Sequence, residues 1–242
     1  MTLPPGVPEP AGPGAPQAPS APGPGTGPGV PWERRAELGL LTALIQTVVE
    51  TLARPAAFFR RMDPRGSVGA ALVYAILVGW ASLVVEVVWR ELVPFPWPTA
   101  LDGLAGRTEH GVSLLLALVF VSFLAPILIP LSVFLLALVY HGLLVLFGGP
   151  SRGFEATART VAYSQGAHLL NIIPFCGALI GFGWWIVVMV IGLREVHGTE
   201  TGKAIAVVVA PALFCAVVAV GMLVFFLLAV PGVLHHLSEM TR

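Results

Sequence analysis

Three polar side chains share one face of an otherwise apolar stretch in the second half of the chain. Ser164, His168 and Asn171 stand at i, i+4 and i+7, which places them on one side of a helix. Tyr163 and Gln165 flank this face. A serine beside a histidine suggests nucleophilic catalysis, but no carboxylate stands where it would orient the imidazole, and there is no GxSxG turn. We therefore predict structural packing rather than enzyme activity.

Other combinations of reactive side chains are weaker. His141, His168 and His197 would have to converge from three segments to bind a metal, and the expected depths of His168 and His197 in the bilayer disagree. Cys176 and Cys215 have no metal-ligand spacing and are expected to be small packing residues. The sequence contains no phosphate-binding loop or dinucleotide fingerprint, so we expect neither a metal nor a cofactor.

A transport pathway is the main alternative use of the polar face. Polar residues inside a membrane span are costly and often line a route for ions or small solutes. The set from Ser164 to Asn171 could line such a route, beside a helix interrupted by Pro126 and Pro130. Against this alternative, no inverted repeat relates the two halves of the chain, and the polar set is confined to one helix.

The composition around these residues indicates that lipid is the main solvent of the chain. Hydrophobic residues make up 56% of the 242 positions and charged residues only 11%, with a mean hydropathy of +0.87. About a quarter of a soluble domain is charged. The formal net charge is zero, which argues against nucleic-acid binding. The amino-terminal stretch lacks an apolar core, so we expect no cleaved signal peptide.

The hydrophobic pattern predicts an all-α, polytopic transmembrane helix bundle of five spans. We expect these spans at about 67–89, 111–147, 155–173, 175–193 and 204–230, followed by a short carboxyl-terminal tail, 231–242. Segment 111–147 contains Pro126 and Pro130, so it could form one span or two. One long, kinked and tilted helix is the preferred interpretation there, and a two-span hairpin is the alternative.

Two segments precede the first span. Residues 1–31 are rich in proline and glycine, which predicts a disordered tail. Residues 32–66 predict an amphipathic juxtamembrane segment, with apolar positions at helical spacing up to residue 53. Near its end, Phe58 and Phe59 stand beside Arg60 and Arg61. This grouping suits a membrane surface, with the rings in the interface and the guanidinium groups towards anionic head groups.

The spans 155–173 and 175–193 are expected to form a helical hairpin that turns at Pro174. Gly177 and Gly181 give a GxxxG spacing at the start of the second helix. Small residues let two helices approach closely, and polar residues in the contact must then find partners across it. We interpret this hairpin as the packing seam of the bundle, and as the first place to look for a ligand.

The distribution of Lys and Arg predicts the orientation in the membrane. With five spans and a cytoplasmic amino terminus, ten of the thirteen basic residues lie inside and three outside. Dividing 111–147 into two spans would change this to seven against six. The charge bias therefore favours five spans, with the carboxyl terminus outside.

Three motifs together resemble the bacterial branch of the Yip1-domain family. They are ARPAAFFRRM before the first span, VAYSQGAHLLNIIPFCG in the hairpin, and IGLREVHGTETGKAIAVVV after it. The resemblance covers roughly residues 48–230 and implies a five-span integral membrane protein with a cytoplasmic amino terminus. Eukaryotic members act in vesicle traffic and associate with small Rab-type GTPases. The resemblance implies no catalytic residues.

These observations predict a non-enzymatic, Yip1-like protein of the bacterial inner membrane. We expect it to contact the lipid bilayer and to organise or recruit other membrane proteins or further copies of itself, without binding nucleic acid.

Overall fold

The computed structural model describes residues 29–92, 110–148 and 152–240, and within these ranges it is helical throughout, without strands. The all-α class expected from the sequence is therefore confirmed. Nearly all of the predicted disordered tail, 1–31, lies outside the described residues, as do the last two residues of the chain.

Four short helices come first. They are a first 3₁₀ helix (Pro31–Arg34), α1 (Arg35–Leu38), α2 (Leu40–Ala53) and α3 (Pro55–Arg61). The expected amphipathic helix is broken at Gly39, whose φ of 82° is rarely adopted by residues with a side chain. A second break falls before Pro55, because proline disfavours helical geometry in the residue that precedes it.

Among the residues that the structure describes, four helices are long and apolar enough to cross a membrane. They are α4 (Val68–Leu92), α5 (His110–Leu146), α7 (Gly177–His197) and α8 (Thr201–Met240). The α5 helix is continuous through Pro126 and Pro130, as in the single-helix interpretation of this segment. Membrane helices tolerate proline because neighbouring groups satisfy the freed backbone carbonyls.

The segment expected as the third span, 155–173, differs from the other four. It forms α6 (Phe154–Ser164), which continues directly into a second 3₁₀ helix (Gln165–Ile172). It is not among the helices that qualify as spans by length and composition. Every residue from Ala156 to Ala167 is buried, so protein surrounds this segment on all sides. We call α6 and the second 3₁₀ helix together the central helix.

The central helix runs antiparallel to α7 over its whole length. Thr157 near its start contacts His197 at the end of α7, and Ala167 further along lies against Gly181. A 3₁₀ helix rises about 2 Å per residue against 1.5 Å in an α-helix. The central helix is therefore about 32 Å long, close to α7 and to the roughly 30 Å hydrocarbon core of a bilayer.

Two connections differ from the expected boundaries. The polar loop expected at 194–203 shrinks to three residues, because α7 continues to His197 and α8 begins at Thr201. At the other end, α8 does not stop at Pro231 but continues to Met240, so the expected tail 231–242 is mostly helical.

Candidate functional site

The polar residues singled out in the sequence lie on or beside the central helix. Two of its hydroxyl groups bond to the helix's own backbone: Thr160 Oγ1 donates to the carbonyl of Ala156 at 2.8 Å, and Ser164 Oγ donates to the carbonyl of Thr160 at 2.7 Å. The Ser164 hydroxyl is therefore committed to a carbonyl, and it is not paired with the imidazole of His168 as a nucleophile would be.

Towards its carboxyl end the central helix packs against α7. The His168 ring stacks on Trp185, with ring centroids 6.1 Å apart. Asn171 lies against Gly181, where an added Cβ would come within 2.6 Å of Asn171 Oδ1. Within the described parts of the chain, Asn171 Oδ1 and Trp185 Nε1 are buried and have no hydrogen-bond partner. Polar groups that are left in this way are the ones a bound ligand or water could satisfy.

The hairpin turn brings Gly177 even closer to the central helix. A Cβ at this position would lie 2.6 Å from the carbonyl oxygen of Leu170 and 3.0 Å from the Cα of Asn171. Pro174 lies in the turn itself, where the Cys176 amide donates to its carbonyl at 2.8 Å. The two glycines of the GxxxG spacing thus face the central helix of the same chain.

A buried ion pair joins the central helix to the amino-terminal segment. The Arg159 side chain is fully buried and its Nη2 donates to Glu33 Oε1. Tyr163 Oη donates to the same carboxylate oxygen at 3.1 Å. The Tyr163 ring packs against Tyr74 and Phe58, with centroids 5.3 and 5.4 Å away. Next to this cluster, Gln165 is also buried.

A second polar cluster lies at the start of the central helix. Thr157 Oγ1 is 3.0 Å from His141 Nδ1 on α5 and 3.0 Å from His197 Nε2 on α7. We expected no metal site from the histidines because His168 and His197 differ in depth, but His141 and His197 are the two that the fold brings together. His141 lies five residues before the end of α5 and His197 ends α7, so the signal in the sequence was their shared position near the carboxyl-terminal ends of two spans.

The expected membrane-surface group is only partly at the surface. Phe58 and Phe59 were predicted to lie in the interface, and this placement is wrong: both are fully buried, because Phe58 joins the Tyr163 cluster and Phe59 fills the space that Gly192 leaves. Arg60 is exposed and lies 4.0 Å from Glu195, while Arg61 pairs with Glu50 of α2.

Across the residues that the structure describes, no three potential metal ligands come together. The polar clusters pair hydroxyl, imidazole and guanidinium groups with backbone or with each other. This arrangement ties the central helix to the amino-terminal segment, α5 and α7, and it leaves Asn171 Oδ1 and Trp185 Nε1 without a hydrogen-bond partner among the described residues.

Comparison with known families decides the classification. The family model described as Yip1 domain matches residues 49–223. The chain belongs to the Yip1 family. No curated protein and no solved structure matches it. Together with the four apolar helices, membership makes this Yip1 protein a multi-pass integral membrane protein in contact with lipid. The matched range contains Arg159 and Tyr163 but begins after Glu33.

Proposed function

We propose that this Yip1 protein is not an enzyme and that it organises or recruits other membrane proteins, or further copies of itself, in the bacterial inner membrane. The supporting observation is the exposure of most of α8 outside the packed bundle. Its first turns pack on the bundle through Ala204, Val207 and Val208, which are buried. Beyond them, each described side chain from Ala212 to Phe226 is exposed, on all sides of the helix.

An apolar helix that leaves its own bundle offers a surface to neighbours in the bilayer. Lipid tails are as apolar as leucine, so helices associate there through close packing rather than through a hydrophobic driving force. Small residues allow that packing. On α8, four small residues fall at i, i+3, i+4 and i+7 and share one face, which we call the small face: Ala212, Cys215, Ala216 and Ala219.

The alternative function, transport of ions or small solutes, has less support. Of the polar side chains that would line a route, Ser164 bonds to backbone, Gln165 is buried and His168 stacks on Trp185. A route for solutes needs polar groups that face a space. We also propose, on the distribution of basic residues, that the amino terminus is cytoplasmic and the carboxyl terminus outside.

Cysteine crosslinking in native membranes tests the role of the small face. The chain has two cysteines, and both are exposed. The variant Cys176→Ser therefore leaves Cys215 as the single thiol. The matched control combines Cys176→Ser and Cys215→Ser with Val217→Cys, because Val217 is exposed on the opposite side of the same helix. We expect a benzophenone attached to the thiol, which on illumination bonds to neighbouring C–H groups of any protein, to capture a defined dimer or partner from Cys215, and little from position 217.

The sizes of the products separate the two versions of this proposal. An adduct of twice the chain mass indicates self-association, and any other discrete mass indicates a different protein. The absence of an adduct at Cys215, or equal yields at the two positions, would contradict a specific interface on the small face.

A further inference from the structure

The buried pair of Arg159 and Glu33 joins parts of the chain that are 126 residues apart. The Arg159 side chain has no solvent exposure, and that of Glu33 is 20% exposed. One carboxylate oxygen receives both the guanidinium Nη2 and the Tyr163 hydroxyl. A carboxylate bonded by a guanidinium and a phenol is held by two strong donors, one of them charged.

The guanidinium has more donors than Glu33 uses. Arg159 Nε and Nη1 are buried and find no acceptor among the residues described. The group lies against the backbone at Gly66, just before α4, where an added Cβ would come within 2.5 Å of Nη1. A fully buried arginine with two unused donors and a glycine that makes room for it has the form of an anion site that is only partly filled.

The carboxylate comes from the short segment 30–38, which precedes α2 and packs on the bundle through the buried residues Val30, Pro31 and Trp32. Glu33 lies in the first 3₁₀ helix, and Gly39 separates this helix and α1 from α2. Gly39 has a positive φ, and a Cβ there would meet nothing within 4 Å. The other main attachment is Trp32, whose Nε1 donates to the carbonyl of Ala70 at 2.6 Å. The segment 30–38 is thus held by the apolar residues Val30 to Trp32 and by one carboxylate, and the helix after it is interrupted at Gly39.

We propose that Arg159 and Tyr163 form a carboxylate-binding site and that Glu33 is its exchangeable ligand. If Glu33 leaves without a replacement, a buried guanidinium remains unpaired, which is strongly unfavourable. Another carboxylate that takes the place of Glu33 removes this cost and therefore favours release of the segment 30–38. The Yip1 match covers the positions of Arg159 and Tyr163 and begins after Glu33. The proposal is independent of α8.

Trypsin provides a reporter inside the docked segment. Arg34 and Arg35 follow Glu33 directly, so cleavage after them measures how often the segment undocks. The full chain in detergent is digested in sodium acetate and, at equal ionic strength, in sodium chloride. In the wild-type chain, acetate competes with Glu33, and we expect faster cleavage than in chloride.

The Glu33→Ala variant should respond in the opposite direction. Loss of the carboxylate should raise the cleavage rate on the order of tenfold or more, because one partner of a buried pair is missing. Acetate can then fill the vacant site, let Trp32 dock and slow cleavage again. Glu155→Ala is the control: it removes one exposed acid at the start of the central helix and should leave the rate unchanged. Combining Glu33→Ala with Arg159→Met should abolish the acetate response.

Several results would overturn the proposal. If acetate and chloride give equal rates in the wild-type chain and in Glu33→Ala, the site does not bind carboxylates. If phosphate restores protection and acetate does not, the site prefers a different anion. An acetate response that survives Arg159→Met would place the effect elsewhere. If Glu33→Ala does not fold, the comparison of acetate with chloride in the wild-type chain still tests the proposal.

Discussion

The glycines of α7 offer a sharp test of how the central helix is held. Gly177 and Gly183 lie six residues apart on the same helix. A Cβ at Gly177 would come within 2.6 Å of the carbonyl oxygen of Leu170 and 3.0 Å of the Cα of Asn171, and at Gly183 it would meet nothing within 4 Å. Because the obstacle at Gly177 is backbone, it cannot rotate away.

The two alanine substitutions should therefore change stability in opposite directions. Inserting a methyl group into a well-packed contact costs about 1–3 kcal/mol. Replacing an exposed glycine inside a helix by alanine gains about 0.5–1 kcal/mol. We expect Gly177→Ala to lower the free energy of unfolding by about 1–3 kcal/mol and Gly183→Ala to raise it by about 0.5–1 kcal/mol. Gly181→Ala should fall between them, since the nearest obstacle there is the Asn171 side chain.

Titration of the purified chain with SDS in mixed micelles, followed by near-ultraviolet circular dichroism, measures these differences. The expected order of stability is Gly183→Ala above wild type, then Gly181→Ala, then Gly177→Ala. If Gly177→Ala and Gly183→Ala shift the transition in the same direction and by similar amounts, the close approach of α7 to the central helix is refuted.

Three further predictions concern other parts of the bundle. Phe175 has a φ of 65° in the hairpin turn, a conformation that costs most residues about 1–2 kcal/mol; Phe175→Asn should raise stability in the same SDS titration, and a decrease would contradict the strain. Thr157→Val removes the hydroxyl between two histidine rings and should lower stability by about 1–3 kcal/mol, so an unchanged transition would argue against that contact. Replacing both Arg60 and Arg61 by Glu should disturb orientation in a fusion-reporter assay, since each basic residue near an anionic surface contributes about 1 kcal/mol; an unaltered reporter pattern would count against the charge-based topology.

The positions of the long helices could be predicted because each is a property of its own segment. A run of apolar residues long enough for the bilayer identifies α4 and α7 without knowledge of their neighbours. The closeness of Gly177 and Gly181 to a partner helix also follows locally, from small residues at a spacing of four. These features need only the period of the helix and the thickness of the membrane.

The contacts that build the polar clusters could not be predicted in the same way. Glu33 and Arg159 pair across 126 residues, and nothing near either one marks the other as its partner. Phe58 and Phe59 stand beside two arginines in the sequence, which favours a position at the membrane interface. In the structure Phe59 is buried, because its ring packs in the space left by the missing side chain of Gly192. Each of these outcomes depends on a surface that exists only once the helices have packed.

Among the described residues four helices qualify as spans by length and composition, whereas the sequence pattern and the charge bias favour five, and the central helix accounts for the difference. A helix that touches lipid must be apolar, but one that is surrounded by protein may carry polar groups if they are bonded. Ser164 and Thr160 meet that condition by bonding to carbonyls one turn back, and Arg159 meets it in part, through the bond of its Nη2 to Glu33. The 3₁₀ stretch also adds about 4 Å to what 19 residues would span as an α-helix. A short, polar segment can thereby match the length of α7 beside it, which is what a fifth crossing and an external carboxyl terminus require.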